Sequence, residues 1–358
     1  MNRGPSLLER LWSPRGPDGV DARVLSVVLA PAEWAYRGLV AARNGARGLG
    51  PWRPARVSTA VIAVGGIEAG GVGKTPLVAT LATLARGVGL PTAVLSRGYG
   101  GTVGRGAERV PHPAPRDATQ RYGDEPVLLA ELLGPHGVAI WVGSDRHRTA
   151  RAATAEGARL LLLDDGFQQR ALALDASVVC LNGAAPLANQ RLLPRGPLRE
   201  PPSALRRATR VVLVDPPPGS DLAALHVLTD APVSICRGVP ALTTLRGRPA
   251  DRGESVVLAA GIAHPERLEA ALLALGHPVA VALFRPDHHR WAGDDLSRLP
   301  AQAAGLPVVV TRKDWVKLRE LPVLPERLTL LERSLVWEGE EPAWADWLLR
   351  YANEKAPR

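Results

Sequence analysis

The residues Gly70, Gly71, Val72 and Gly73, followed by Lys74, Thr75 and Pro76, have the types and spacing that hold a chain of phosphates. Glycines here turn backbone N–H groups inward on phosphate oxygens, at the positive end of the helix that follows. Lys74 can then reach the β- and γ-phosphates, and Thr75 can place its hydroxyl on Mg²⁺. Pro76 falls in the first helical turn, where its missing N–H costs nothing. The motif starts irregularly, because Glu68 stands where the six-residue frame ending at Gly73 ordinarily opens on glycine. A dinucleotide fold is the weaker reading, since it would give the Lys74-Thr75 pair no role.

Four other groups of residues could do chemistry. Leu160 to Leu163 run straight into Asp164 and Asp165, a buried strand that delivers two carboxylates at its carboxyl end, where an α/β sheet places ligands and where a metal-organising acid is expected. A plain Asp-Asp-Gly turn is the bland alternative. Asp124 and Glu125 open a helix just ahead of Pro126, either as dipole-matched first-turn acids or as site acids. Asp145, Arg146, His147 and Arg148 crowd a junction between strand and helix, and Asp287, His288 and His289 cluster in a loop where a solvated, idle histidine pair is the simpler reading.

These residues need elements to position them. Val61 to Val64 is β-rich and apolar, and Leu77, Leu81 and Leu84 recur at helical spacing after the glycine loop. Strand-like runs alternate with helical ones through residue 215, which makes a parallel, three-layer sheet the default architecture. After about residue 230 the style repeats on a smaller scale, in SVVLAAGIAHPERLEAALLALG and PVVVTRKDW. The expected division is therefore 1–50, 51–230 and 231–358. From Val24 to Ala42 the chain is strongly apolar but broken by Pro31, Glu33 and Arg37, so it falls short of the roughly twenty uninterrupted apolar residues of a membrane span. An interfacial helix fits, with Trp34 and Tyr36 at head-group level and Arg23, Arg37, Arg43 and Arg47 toward anionic lipid; a core-packing helix is the alternative.

The 358 residues suffice for a sizeable core, and the two cysteines, Cys180 and Cys236, are too far apart for a CxxC metal or redox motif, which fits a reducing compartment. The net charge of +9 rests almost wholly on arginine, with lysine only at 74, 313, 317 and 355. No aromatic-interleaved basic stripe accompanies it, so nucleic acid is not expected as a partner, whereas phosphorylated substrates or anionic lipid are. The first twenty residues lack the pattern of a secretory signal.

Taken together, the chain closely resembles the tetraacyldisaccharide 4'-kinases, which phosphorylate a lipid A precursor at the bacterial inner membrane. The resemblance covers most of the chain and rests on GGVGKTP, SRGYGG at 96–101, GDEP at 123–126, DDGFQ at 164–168, LPRGPLRE at 193–200, AGIAHP at 260–265, PDHH at 286–289 and TRKDWVK at 311–317. It implies an α/β fold, with a phosphate-loop NTPase-like parallel-sheet lobe, a second, smaller α/β lobe and an N-terminal membrane-associated helix. It implies ATP and Mg²⁺, an acylated disaccharide phosphate as acceptor, and the cytoplasmic face of the inner membrane as the place of work, with no protein partner.

The resemblance also implies roles. Lys74 and Thr75 match the phosphate and Mg²⁺ ligands, Asp164 and Asp165 the metal-side acids, Asp124 the general base, Glu125 a metal-side helper, His288 a histidine supporting the base from the other lobe, and Arg146 a γ-phosphate contact. Three departures stand out. Glu68 replaces a usual threonine, Gly66 a common asparagine, and Gln169 a histidine; glutamine can hydrogen-bond but cannot gain charge at neutral pH. A partitioning ATPase of the deviant-Walker type shares GGVGKT, but has lysine where this chain has Ala69. A scaffold with a vestigial loop would have no use for Asp124, Asp164, Asp165 and His288 together.

Overall fold

The computed structural model describes residues 6–45, 53–262, 265–287, 289–292, 295, 305–339 and 341–355. Its strands, in chain order, are β1 (Ala60–Gly65), β2 (Thr92–Ser96), β3 (Glu108–Arg109), β4 (Ala139–Val142), β5 (Leu160–Leu163), β6 (Ala176–Asn182), β7 (Arg210–Val214), β8 (Val233–Arg246), β9 (Val256–Ala260), β10 (Val279–Phe284), β11 (Val308–Thr311) and β12 (Leu328–Trp337). The helices are α1 (Leu7–Leu11), α2 (Val20–Val28), α3 (Ala30–Gly45), α4 (Lys74–Gly87), α5 (Ala118–Tyr122), α6 (Asp124–Leu133), α7 (Arg146–Ala155), α8 (Ala223–His226), α9 (Glu266–Ala274), α10 (Arg312–Leu318) and α11 (Glu341–Glu354).

Contacts divide the chain into two interleaved units: Met1–Val78 with Gly157–Arg237 and Trp337–Arg358, and Ala79–Glu156 with Gly238–Val336. These are not the continuous segments 51–230 and 231–358 expected from the sequence. The physical reason is that α6 packs on α10, and Arg319, just beyond α10, binds Glu131 of α6 at 2.8 Å. In this division the segment carrying PDHH and the segment carrying Asp124 fall in the same unit.

In the first unit β1 is buried along its whole length, with β5 parallel on one side and β6 on the other. β7 follows β6, and the first residues of β8 follow β7, all parallel. Strands covered on both faces read as near-continuous apolar runs, which is why Leu160 to Leu163 are all buried. A core of Ile67, Phe167, Leu181, Leu198, Leu205 and Leu213 fills one side of this sheet. The final helix, α11, contacts β1. Its Trp344 is fully buried, stacked on Trp337 with ring centroids 4.5 Å apart and covered by the Arg210 guanidinium at 4.6 Å. Asp175 fastens the start of β1, accepting the Val61 N–H at 2.9 Å and pairing with Lys355 at 2.9 Å.

The apolar N-terminal stretch is two helices, α2 and α3, bent by 48° at a short break; no single helix among the described residues is long and apolar enough to cross a membrane. Its faces differ from the expected ones. Glu33 is buried, receiving the Leu192 N–H at 3.2 Å and Arg195 at 3.4 Å. Tyr36 packs on the core of the first unit and donates to the Arg199 carbonyl at 3.1 Å, while Arg43 binds buried Glu200 at 2.6 Å. Tyr36, half-buried, and Arg43, exposed, are thus each tied to the loop after β6, a partner that the sequence reading did not give them. Val20, Val24, Val27, Val28, Trp34 and Leu39 remain exposed; Arg47 lies outside the described residues.

In the second unit β2 and β4 are parallel, with β3 antiparallel on the outer edge of β4. β9, flanked by β10 and β11, and then β12 form a further parallel set over a core of Val257, Ala259, Val308, Val310, Leu328 and Leu330. The SRGYGG turn lies against the junction of α5 and α6. A side chain at Gly101 would stand 2.6 Å from the Arg121 carbonyl, and one at Gly123 2.5 Å from the Tyr99 carbonyl. Gly123 also has φ +87°, a conformation that only glycine adopts without strain, and it sets the angle at which α6 begins.

Candidate active site

The glycine loop follows the buried β1 and ends in the first turn of α4. Gly70 and Gly73 take φ values of +105° and +90°, which lets the backbone fold into a cradle ahead of the helix N-terminus. The Cys180 thiol on β6 donates to the Val72 carbonyl at 2.9 Å and pins the loop to the sheet. The Lys74 ammonium lies 3.5 Å from the Gly70 carbonyl and 3.6 Å from Asp165. Thr75 and Pro76 sit half-buried in the first turn of α4.

β5 runs beside β1 in register, Ala63 opposite Leu163, so the carboxylates after β5 arrive next to the loop that follows β1. Asp164 is buried; Asp165 takes a left-handed φ of +48°. The next residues lock this turn. Gly166 donates to the Val64 carbonyl at 2.9 Å and the Gln168 amide to the Gly66 carbonyl at 2.9 Å. Gln169 is buried with both ends of its amide on the Leu172 backbone, donating at 3.2 Å and accepting at 3.0 Å, so it closes its own turn.

Two members of this half-site are not evident from sequence pattern. Arg199 binds both oxygens of Asp165, at 3.1 and 2.9 Å, and its own N–H donates to the Ile67 carbonyl at 2.7 Å. Its only signal was membership of LPRGPLRE, which reads as a Pro- and Arg-rich loop. Glu68 is buried, accepting the N–H of Asn182 at 2.9 Å and of Leu187 at 2.6 Å. Burial pushes its carboxyl up to about 7, against the pull of those two donors and of Lys74. The residue that breaks the glycine pattern thus ties the loop to the segment after β6.

The second unit carries the remaining expected site residues. Asp124 is buried in the first turn of α6 and accepts the Glu125 N–H at 3.1 Å; Glu125 itself is half-buried. Asp124 lines a cavity of about 290 Å³ together with Tyr99, Thr119, Gln120, Trp291 and Lys317. Arg146 is buried in the first turn of α7, which is capped by Asp145 accepting the N–H groups of His147 and Arg148 at 3.2 Å each. His288 lies outside the described residues. Its neighbours are engaged: Asp287 with Lys313 at 2.8 Å, and His289 with Asp295 at 2.9 Å.

The expected metal-side residues fall in two sets, Thr75, Asp164 and Asp165 on the first unit and Glu125 on the second. Among the described residues no group of three or more His, Cys, Asp or Glu side chains forms a metal cage. That fits Mg²⁺, which takes one or two hard oxygen ligands from protein and fills its shell with phosphate oxygens and water. The Thr75 hydroxyl and the buried Asp164 carboxylate offer hard oxygens of that kind, whereas Asp165 is already held by Arg199 and Lys74.

A parallel sheet whose β1 ends in a GKT cradle, next to a strand ending in carboxylates, defines a phosphate-loop nucleotide-binding protein. The profile of the family described as Tetraacyldisaccharide-1-P 4'-kinase matches residues 25–353. The chain is 39% identical over 344 residues to a tetraacyldisaccharide 4'-kinase of Rhodospirillum centenum, covering 93% of each chain. It is 40% identical over 309 residues to that of Halorhodospira halophila, covering 85% of this chain and 86% of the relative. Among solved structures, LpxK from Aquifex aeolicus in complex with ATP aligns with a TM-score of 0.73 at 28% identity, over 92% of this chain and 99% of that one. The chain belongs to the tetraacyldisaccharide-1-P 4'-kinase family.

Proposed function

We propose that the protein transfers the γ-phosphate of ATP to the 4'-hydroxyl of a tetraacyldisaccharide 1-phosphate, the step that yields lipid IVA. The observation that carries this reading is family membership over nearly the whole chain, on a fold whose GKT cradle and adjacent Asp164 are in place. In this reading the backbone of residues 70–73 binds the phosphates and Lys74 neutralises the γ-phosphoryl group, aided by Arg146. Thr75 and Asp164 would hold Mg²⁺, with Asp165 and Glu125 as outer partners; when bound, the ion supplies charge neutralisation on the phosphates. Asp124 accepts the proton of the attacking hydroxyl as that oxygen bonds to phosphorus and the bond to the β-phosphate oxygen breaks, releasing ADP. His288 is assigned to support of that carboxylate.

Action at the cytoplasmic face of the inner membrane is part of the same reading. The acceptor is a lipid, and the exposed apolar residues of α2 and α3 together with Arg23 have the composition of an interfacial surface. The partitioning-ATPase alternative has only the GGVGKT string in its favour, and family membership outweighs it. The test is transfer of label from γ-labelled ATP to purified disaccharide 1-phosphate in detergent micelles. Labelled acceptor that depends on the disaccharide supports the assignment; ATP turnover indifferent to it overturns the assignment.

A further inference from the structure

Lys317 lines the cavity that holds Asp124, and neither the motifs nor the family resemblance attached a role to it. It lies in the last turn of α10, 8% exposed, and its ammonium makes no hydrogen bond among the described residues. It stands 3.7 Å from Asp314 and 4.0 Å from the Oδ2 of Asp124, and lines the same cavity as Asp124. A buried ammonium is costly, and an apolar side chain of similar length would fill the space without that cost. Asp314 does not need it. Fully buried, Asp314 already accepts from the Gly261 N–H at 3.1 Å, the Trp291 indole at 3.0 Å and the Thr311 hydroxyl at 2.6 Å.

Asp314 is therefore a fixed anchor, one helical turn before Lys317 on the same face, and it aims the lysine across the packing of α10 on α6. What the ammonium meets there is Asp124. We propose that Lys317 is a positioning residue for Asp124, holding that carboxylate in the cavity by its charge so that one oxygen is kept toward an incoming hydroxyl. The inference rests on the reading of Asp124 as the proton acceptor. Lys317 has three N–H bonds to offer and can tighten onto Asp124 when an acceptor fills the cavity, as hydrogen bonds at such sites commonly do in the reacting complex.

The test is a double-mutant cycle on the transfer rate with K317M, D124N and both together, with nucleotide affinity and thermal melting measured for each variant. K317M is expected to lower kcat by roughly 10- to 100-fold with the KM for ATP within about twofold, because its effect passes through the acceptor-side group alone. In the D124N background the same change should cost less than about threefold, since a residue that acts through another has nothing further to lose. K317R should recover a substantial part of kcat, which a space-filling role would not allow. If K317M loses its cooperative melt, K317Q, polar but uncharged, takes its place in the cycle. Equal losses in both backgrounds overturn the inference alone. A wild-type rate in D124N overturns the reading of Asp124 and the inference with it.

Discussion

The ammonium of Lys74 and the carboxylate of Asp165 stand 3.6 Å apart, and Arg199 grips the same carboxylate through both oxygens. The lysine of the glycine loop is thus held by a neighbour that does not depend on it. Lys74→Ala leaves Asp165 paired with Arg199, in a region where the Asp165 side chain is 43% exposed. The variant should melt close to wild type, as expected for a partly solvated pair, while phosphoryl transfer falls by on the order of 10²-fold or more. Calorimetry beside the labelled-ATP assay checks both halves; near-normal transfer would remove the cradle assignment.

Glu68 makes a prediction about pH. With its carboxyl pushed from 4.5 to about 7 by burial, the folded protein holds a proton that the unfolded chain has released between those values. Stability from this group therefore falls as pH rises from about 4.5 to about 7, then levels off, by on the order of 3 kcal/mol in all. Glu68→Gln cannot titrate, although it gives up one of the two backbone donors. The difference in stability between variant and wild type should shift in favour of the variant by that amount between pH 5 and pH 8. Parallel urea melts at the two pH values read it directly, and a constant difference would mean that Glu68 stays ionised throughout.

Gly123 carries two demands at once, a left-handed backbone and a contact that leaves no room for a methyl group. Gly123→Ala should cost about 1–3 kcal/mol and, by tilting the start of α6, should lower kcat more than it raises the KM for ATP. Gly71, where a methyl group would meet nothing within 4 Å, serves as the control for stability. Equal melting of the two alanine variants would contradict the contact at Tyr99.

The N-terminal helices predict a separation of faces. Trp34→Ser combined with Val27→Ser alters exposed positions only, and should weaken sedimentation with anionic vesicles while leaving the melt unchanged. Tyr36→Phe removes a hydrogen bond to Arg199 and should cost about 1 kcal/mol with vesicle binding intact. Deleting residues 1–45 is not a clean test of anchoring, because it strips Glu33, Tyr36 and Arg43 from the unit they brace. Unchanged vesicle binding by the double serine variant would show that this face is not the lipid contact.

Much of this was legible in the sequence because it is local. The β1–loop–α4 unit announces itself through glycine spacing and helical periodicity, and the Leu160–Asp165 run through its apolar string ending in acids. What could not be read is whatever depends on distant pairing. Arg199 looks like one arginine among many until Asp165 is seen in its grip, and Glu68 looks like a flaw in a motif until its two backbone donors are known. The packing of α6 on α10 was hidden for the same reason, since composition shows a change of style along the chain but not which distant helices meet. Tyr36 and Arg43 had side chains suited to lipid, and the sequence held no sign that Arg199 and Glu200 would claim them.

The contact of α11 with β1 has a bearing on how the protein is made. The glycine loop is translated early, yet the unit that carries it includes the helix at the far end of the chain, with Trp344 buried under Arg210 and Lys355 tied to Asp175 at the foot of β1. On the ribosome the nascent cradle waits until the message has been read past Trp344. A premature stop before Trp337 would strike the unit that carries the glycine loop as surely as a change within the loop itself.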